Sequence, residues 1–567
     1  MSVAILRSSE ATTRLRSYGR TVSVRLVLLS LSIANLCFLP VWLPILSLAE
    51  DPAMRFFQDA PPAMSTLGAL ITVIVLLAAA VYVAELMGVA SSRALKCIGL
   101  TFSLLSSAAA TYQINGWLKT QLNIWLSDVL NQRGFVYYGI LGLKLLLVGA
   151  VLFGLAWRLN KTIRIVQSFF LILAPLFFVY AAQGLWAYAF VDLYRVGTGK
   201  ASAPFLAQSE NTRRAVWIVF DELDERLLFD RRPDRIQTPE FDRFRSETVS
   251  ADHAIPPARE TLLSMPSFLL GESIKKVELD TSQLLFEDGN GASLNNFAKQ
   301  ENIFRRVRAA GFNTAVAGWY LPYCRLIGSD VSDCAWASLG PAVVCAERLI
   351  HRRAFLDKLA FMVRWQARLT FPDLVASRVM DATPDDLLGR RLQNIRAMEL
   401  VMQNGIRMLR NPKLNFILLH VPAPHPPGFW NSRLHRFVVA DADYLDNYEL
   451  ADEVLGRFRK TLEGLGAWDN TTVLVTSDHS YRTGLWIEQG VWNAETATVS
   501  GSRQYPYVPF LLKLPSQRTP YGYRREFNNR VSGDLLLKIL AGNINTPQEA
   551  TGWMDQQVEI QKLAGTN

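Results

Sequence analysis

Charge is scarce in this chain: Asp, Glu, Lys and Arg supply only 19% of its 567 residues, against 50% hydrophobic, and the mean hydropathy is +0.14. That balance is too apolar for a soluble enzyme of this length and points to a membrane. Cysteine and histidine are also few, five and six. Cys37 and Cys97 fall in apolar stretches, where a thiol serves as a small apolar side chain. Cys324 and Cys334 bracket a polar loop and could close a disulfide in an oxidising compartment, leaving Cys345 unpaired. No basic patch interleaved with aromatics is present, so the net charge of +9 does not indicate nucleic acid. The first apolar run is long and lacks a small-residue cleavage pattern, which argues against a removable signal peptide.

The apolar residues concentrate before residue 195. Five stretches reach the roughly 20 residues that a bilayer core of about 30 Å requires: Leu26 to Leu48, Pro62 to Val83, Cys97 to Gln113, Phe135 to Trp157 and Ile165 to Tyr188. The fourth carries Lys144, which either faces the bundle interior or packs against a polar neighbour. Arg7, Arg14, Arg16, Arg20, Arg25, Arg93, Lys96, Arg158, Lys161 and Arg164 lie in one set of loops, but only Arg55, Lys119 and Arg133 in the alternate set. The positive-inside rule then puts the N-terminus in the cytoplasm, and an odd number of spans delivers the rest of the chain to the outside. Between the third and fourth spans, Leu118, Leu122, Trp125, Leu126 and Val129 repeat at helical spacing, as an interfacial helix would. The expected organisation is a transmembrane domain over 1–195, a linker over 196–213, a catalytic domain over 214–545 and a tail over 546–567.

In the polar half, Ala215 to Phe220 is a continuous apolar run, as in a buried strand of a parallel sheet, and Asp221 and Glu222 follow it. The run Thr471 to Thr476 repeats the pattern and ends in Ser477, Asp478 and His479. Carboxylates and an imidazole at the tips of two strands occupy the ligand-binding edge of an open α/β sheet and form a donor set suited to a metal ion. His420 and His425 also follow a strand-like run.

These segments resemble the alkaline phosphatase and sulfatase superfamily. IVFDELDE looks like its first metal motif and VTSDHS, Val475 to Ser480, like its second. TPEFDRF, Thr238 to Phe244, resembles the lead-in to the nucleophile, and TLLSMPSFLLG, Thr261 to Gly271, the nucleophile helix. AGFNTAVAGWY, FILLHVPAPHPP and YVPFLLKLP resemble further blocks in the same order, so the resemblance spans about Val216 to Pro515. It implies a sulfatase-like α/β domain with a central, mostly parallel sheet, carried on an N-terminal bundle of five transmembrane helices.

Sulfatases oxidise a cysteine or serine to formylglycine within a pattern that needs a proline and an arginine. Here Thr261 stands at that position, with Leu263 and Met265 in place of the other two. The lysine and histidine of their Gly-Lys-Trp-His block are replaced by Trp319, Tyr320 and Leu321. Thr261 followed by Ser264 and Pro266 instead resembles the membrane-anchored phosphoethanolamine transferases and lipoteichoic acid synthases. The resemblance implies that Glu222, Thr261, Asp478 and His479 ligate a divalent cation, zinc or manganese, with Asp221 a further ligand and room for a second ion. Thr261 is then the nucleophile and His425 stabilises charge, while His420 is structural. The implied reaction moves phosphoethanolamine or phosphoglycerol from a membrane lipid to an envelope glycan or lipid, at a bacterial-type inner membrane. A hydrolase using water at the same site, and an inactive envelope-binding domain, are the alternatives.

Two departures stand out. Tyr507 occupies the place of a histidine before the last Val-Pro, and the multiple disulfides of phosphoethanolamine transferases are missing. Weaker candidates for touching substrate are Arg259, Asp224, Glu225 and Tyr507, with Ser264 the fallback nucleophile. Asp452 reads as a structural cap or a packing polar residue, and Trp468 to Asn470 as the turn into the second metal strand.

Overall fold

A computed structural model describes residues 24–39, 41–42, 46, 56–57, 64–88, 92–130, 164–190, 199–207, 213–280, 283–287, 294–337, 355–360, 362, 386–488, 493–501 and 505–563. The chain forms two compact units. The first comprises Met1–Glu50, Pro62–Val191 and Arg348–Thr383, the second Asp51–Pro61, Asp192–Glu347 and Pro384–Asn567. The chain passes from one unit to the other between Val191 and Asp192, and two further segments change sides. Phe56 and Phe57 are buried in the apolar cluster of the second unit with Tyr323 and Trp336. In the first unit, Lys358 Nζ donates to Thr66 Oγ1 at 2.6 Å.

In the first unit, three helical segments are long and apolar enough to cross a membrane among the described residues: Thr66–Gly88, Arg93–Asn115 and Arg164–Trp186. They match the second, third and fifth expected spans. Val24–Cys37, within the first, is a shorter apolar helix. The fourth, with Lys144, lies outside the described residues. These helices leave Leu76, Val83, Ile98, Leu104 and Ile172 exposed, the reverse of a water-soluble bundle and the pattern that lipid solvent favours. The helix Met64–Gly88 packs against Arg93–Leu130 at Gly99, where a Cβ would fall 2.3 Å from the Ala84 carbonyl oxygen. Small residues allow such close helix approach. Leu118 to Val129 forms no separate element, since the helix Arg93–Leu130 runs through it unbroken.

The second unit is built on a nine-stranded mixed sheet. Its strands are β1 (Arg214–Asp221), β2 (Val249–Ile255), β3 (Thr314–Trp319), β4 (Asp333–Ala337), β5 (Phe416–Pro424), β6 (Thr471–Ser477), β7 (Val508–Lys513), β8 (Tyr521–Tyr523) and β9 (Phe527–Asn528). Their order is β8, β2, β7, β6, β1, β5, β3, β4, with β9 paired to β2. Strands β6, β1, β5, β3 and β4 run parallel to one another, whereas β7 is antiparallel to both β6 and β2. The expected mostly parallel sheet is therefore present with one reversed strand.

Strand β1 is central, and side chains alternate across it. Ala215, Trp217 and Val219 enter one apolar layer, which holds the helices Thr261–Leu270, Ile303–Ala309, Ser532–Leu540 and Pro547–Leu563. Val216, Ile218 and Phe220 enter the other, with Pro239–Arg245, Asp386–Leu409 and Asp446–Gly464. Covered on both faces, the strand is apolar throughout, which is why it reads as a continuous run rather than an alternating one.

The segment 546–567, read as a tail, contains the helix Pro547–Leu563, whose Ala550, Met554 and Val558 are buried in the core. Cys324 and Cys334 form a disulfide that ties the turn Tyr323–Leu326 to β4. Cys345 lies outside the described residues.

Asp452 caps the helix Pro239–Arg245 as expected, accepting the Phe241 N–H at 2.8 Å. Its burial, with Glu240 and Asp242 nearby, raises its carboxyl from about 3.8 to about 7, against the pull of the Phe241 amide. A raised acid favours the folded state while that state alone holds the proton; the contribution is complete below about pH 4 and lost as pH climbs to about 7. Asp452→Asn keeps a carbonyl acceptor for the amide and removes the titration. Its melting temperature should therefore vary less between pH 4 and 7 than that of the unaltered protein, and an unchanged slope would refute this account.

Candidate active site

The site forms where β1 and β6 end side by side. Ser477 pairs with Phe220, so the next residues of the two strands, Asp221 and Asp478, emerge together at the C-terminal edge of the sheet. On its other side β1 pairs with β5, whose register jumps from Val421 opposite Phe220 to Pro424 opposite Asp221. Such a bulge re-aims side chains, and this one brings His425 beside the site. Glu222 then turns the chain at φ +66°, a left-handed conformation that costs a non-glycine residue on the order of 1–3 kcal/mol. The turn is held from three sides: Glu222 N–H donates to Asp478 Oδ1 (3.2 Å), Leu223 N–H to Ser477 Oγ (2.9 Å), and the Tyr444 hydroxyl to the Glu222 carbonyl (2.7 Å).

Thr261 is the first residue of its helix, which ends at Gly271 in the left-handed conformation that glycine adopts most readily. Its Oγ1 lies 3.3 Å from Asp221 Oδ2 and 3.2 Å from His479 Nε2. His479 Nδ1 faces the Ser480 carbonyl at 3.0 Å. A carbonyl can only accept, so that nitrogen carries the proton and Nε2 offers its lone pair toward Thr261.

The donors form two triads that share Asp221: Asp221, Asp478 and His479, and Asp221, Glu222 and His425. The resemblance implied one point of convergence for Glu222, Thr261, Asp478 and His479, with Asp221 as an addition. In the structure Asp221 is the common member and Glu222 belongs to the other group. The reason is Arg482. Glu222 Oε1 accepts its backbone N–H and its Nε–H, each at 2.9 Å, and the Trp486 indole at 2.8 Å. Burial alone would raise the Glu222 carboxyl, but the Arg482 charge and its hydrogen bond hold it at about 2. Asp221 moves the other way: burial, then the Asp478 and Glu222 charges, push its carboxyl well above the ordinary range.

His425 packs edge-on between Trp319 (5.1 Å) and Trp486 (5.2 Å), with Arg482 Nη2 at 3.1 Å from its Nε2. His420, expected to be structural, stands 3.8 Å from Asp221 Oδ2 through Nε2 and bonds the Tyr323 hydroxyl through Nδ1 at 2.8 Å. Burial lowers both imidazoles to about 4, so both are neutral at physiological pH.

Whether these residues suit a cation can be tested on their unused atoms. Buried polar atoms normally find partners. Here Asp221 Oδ1, Glu222 Oε2, Asp478 Oδ2, His420 Nε2 and His425 Nδ1 are buried without a hydrogen bond. Three carboxylates share this small buried volume, and hard oxygen donors with neutral imidazoles suit a divalent cation. The donor set therefore fits a metal ion.

Of the remaining candidates, Ser264 is buried and its Oγ accepts the Ala258 N–H at 3.1 Å, which occupies it in bracing the loop before Thr261. Tyr507 lies apart from both triads. Its hydroxyl donates to Glu526 at 2.8 Å and its ring meets His253 and Tyr505. Arg259 is exposed two residues before Thr261. Buried Asp224 pairs with Arg226 at 3.1 Å, and Glu225 is buried beside it. Sequence reading missed Arg482, Trp486 and Tyr323. The first two follow Asp478-His479 by one short turn, and that adjacency was the available signal.

Residues 215–493 match the family model of type I phosphodiesterase / nucleotide pyrophosphatase, and the match contains every residue of the two triads as well as Thr261. The superfamily resemblance stands on that match, and the chain is a sulfatase-like enzyme acting on phosphate esters. No curated protein matches it. Among solved structures, a protein in the alkaline phosphatase superfamily from Vibrio parahaemolyticus aligns at 13% identity and TM-score 0.34, over 61% of this chain and 71% of that one. Phosphonate monoester hydrolase of Agrobacterium radiobacter aligns at 14% and 0.32, over 58% and 73%. The lipoteichoic acid synthase LtaP from Listeria monocytogenes aligns at 11% and 0.33, over 59% and 76%.

Because Asp221 is common to both triads, Asp221→Asn should lower divalent-metal affinity at least about tenfold, and more than Glu222→Gln, whose neighbour Arg482 already supplies positive charge. Metal analysis of the purified full-length variants checks this; equal metal content in both would refute it.

Proposed function

We propose that this chain is a membrane-bound, metal-dependent phospho-group transferase with Thr261 as nucleophile. One observation carries the reading: a threonine hydroxyl at a helix N-terminus, within hydrogen-bond reach of a buried carboxylate and a histidine nitrogen at the sheet's ligand-binding edge. A free threonine hydroxyl is a weak nucleophile and needs a neighbouring base or a cation. Asp221, Asp478 and His479 would hold one divalent ion, zinc or manganese, and Glu222 and His425 are placed to take part in binding it or a second. A bound ion supplies hydroxyl activation and neutralisation of phosphoryl charge.

In the first half-reaction the Thr261 oxygen attacks phosphorus of a lipid head group, and the proton it loses passes to Asp221, which hands it on to the leaving oxygen. The bond from phosphorus to the diacylglycerol oxygen breaks, and diacylglycerol leaves with a proton. In the second, an acceptor hydroxyl attacks phosphorus, frees Thr261 and restores its proton. Arg482 and His425 flank the site and offer donors to the phosphoryl oxygens.

The donor is read as phosphoethanolamine or phosphoglycerol lipid and the acceptor as an envelope glycan or lipid, from the likeness of Thr261, Ser264 and Pro266 to the membrane transferases. The bias of Lys and Arg among the loops, taken with the five spans read from the sequence, supports a catalytic unit outside the cytoplasm of a bacterial-type inner membrane. The family match favours one second reading, a phosphodiesterase in which water is the acceptor.

Mass spectrometry of the full-length protein after incubation with membrane lipids should find phosphoethanolamine or phosphoglycerol on Thr261, and Thr261→Ala should lose all turnover. An active enzyme with an unmodified Thr261 would overturn the covalent mechanism. Release of the free head group without an acceptor would favour the diesterase.

A further inference from the structure

Resting on the reading of Thr261 as the nucleophile, we infer that Tyr320 is a substrate-contacting residue whose hydroxyl donates to the phosphoryl group, and that Phe57 is the residue that positions it. Tyr320 stands directly beyond the end of β3, and the mechanism above makes no use of it.

The backbone marks the position. Tyr320 has φ +66°, and the Leu321 N–H closes a three-residue turn onto the Trp319 carbonyl at 2.8 Å. Turns of this kind with a positive central φ are rare and strained for a residue with a side chain. Strain of this size persists where the surroundings over-determine it, and here they do. Trp319, just before it, is fully buried and seated edge-on against His425. Pro322 and Tyr323, just after it, lead into the turn locked by the Cys324–Cys334 disulfide. Gly318 permits the arrangement, because a Cβ there would fall 2.5 Å from the Tyr323 ring.

The side chain is anchored at its ring and free at its tip. Phe57 packs on the ring with centroids 4.8 Å apart, and Phe56 packs on Phe57 at 5.2 Å. Phe56 is fully buried, its carbonyl accepts from the Arg325 guanidinium, and that guanidinium also lies over the Trp336 ring. The Tyr320 hydroxyl, by contrast, has no hydrogen-bond partner among the described residues. The charges that act on it belong to the site: Arg482, Asp221, Asp478, and Glu260, the neighbour of Thr261. A partly exposed phenol among these groups, held by its ring and with an unused donor, is equipped to meet a phosphoryl oxygen. Burial raises it to about 12, so it stays protonated and able to donate.

The test uses the full-length protein and inorganic phosphate as probe, with affinity read by calorimetry. A hydrogen bond to a charged group is worth about 1.5–3 kcal/mol, so Tyr320→Phe, which keeps the ring contact with Phe57, should weaken phosphate binding about tenfold or more. Its melting temperature and metal content should not change. Phe57→Leu should weaken phosphate binding in the same direction, Phe57→Tyr should restore it, and Phe57→Leu added to Tyr320→Phe should bring little further loss. If Tyr320→Phe binds phosphate within twofold of the unaltered protein, the inference fails and the transferase reading survives. If the metal-loaded unaltered protein binds no phosphate at all, both fall together.

Discussion

Three carboxylates, Asp221, Glu222 and Asp478, are buried at neighbouring strand tips, and the catalytic unit is arranged around the need to compensate them. Arg482 meets part of that need by gripping one oxygen of Glu222, with the Trp486 indole on the same atom. At the shared member, Asp221, Arg482 and the Thr261 hydroxyl offset only part of the burial and of the Asp478 and Glu222 charges, so its proton affinity rises steeply. Removing charged groups from water is costly unless they are paired or bound to a metal. The donor set fits a cation, and the Thr261 hydroxyl lies beside Asp221 and His479.

The sheet makes the arrangement affordable in structural terms. Parallel pairing of β1 with β6 brings Asp221 and Asp478 to the same edge, and the apolar layers on both faces keep that edge from shifting. The bulge of β5 does the remaining work, since a regular pairing would carry the strand past Asp221 without turning His425 toward it. Strain collects at this edge, at Glu222 and Tyr320, the two residues of positive φ that flank the site. Hydrogen bonds pin Glu222 and ring packing on Phe57 pins Tyr320, in both cases from elements distant in sequence, which is how a fold sustains conformations that its local segments disfavour.

The two units differ in how they place their apolar side chains, as the uneven composition of the chain already suggests. Most of the exposed large apolar side chains among the described residues belong to the first unit, whereas most of the second unit's apolar residues lie in two layers against the sheet. The units are not successive in the chain. Asp51–Pro61, from between two apolar stretches, supplies Phe56 and Phe57 to the core of the second, and Arg348–Thr383 returns to the first. Boundaries drawn along a sequence assume contiguity, and composition over ten or thirty residues is too weak a signal to reveal such exchanges.

Strand periodicity and the residues that end each strand made β1, β6 and the members Asp221, Glu222, Asp478 and His479 legible in the sequence, because apolar runs and the donors at their tips are local properties. The motif order likewise indicated Thr261 and His425. The division of the donors into two groups was decided only by tertiary structure: Arg482 takes Glu222 by side-chain geometry, and the β5 bulge sets which carboxylate His425 meets. The Tyr323 bond to His420, the helix at 547–563 and the seating of Phe57 on Tyr320 also depend on contacts between residues far apart in the chain. Patterns along a chain report which side chains are available at a strand tip, and only packing determines which of them share a point in space.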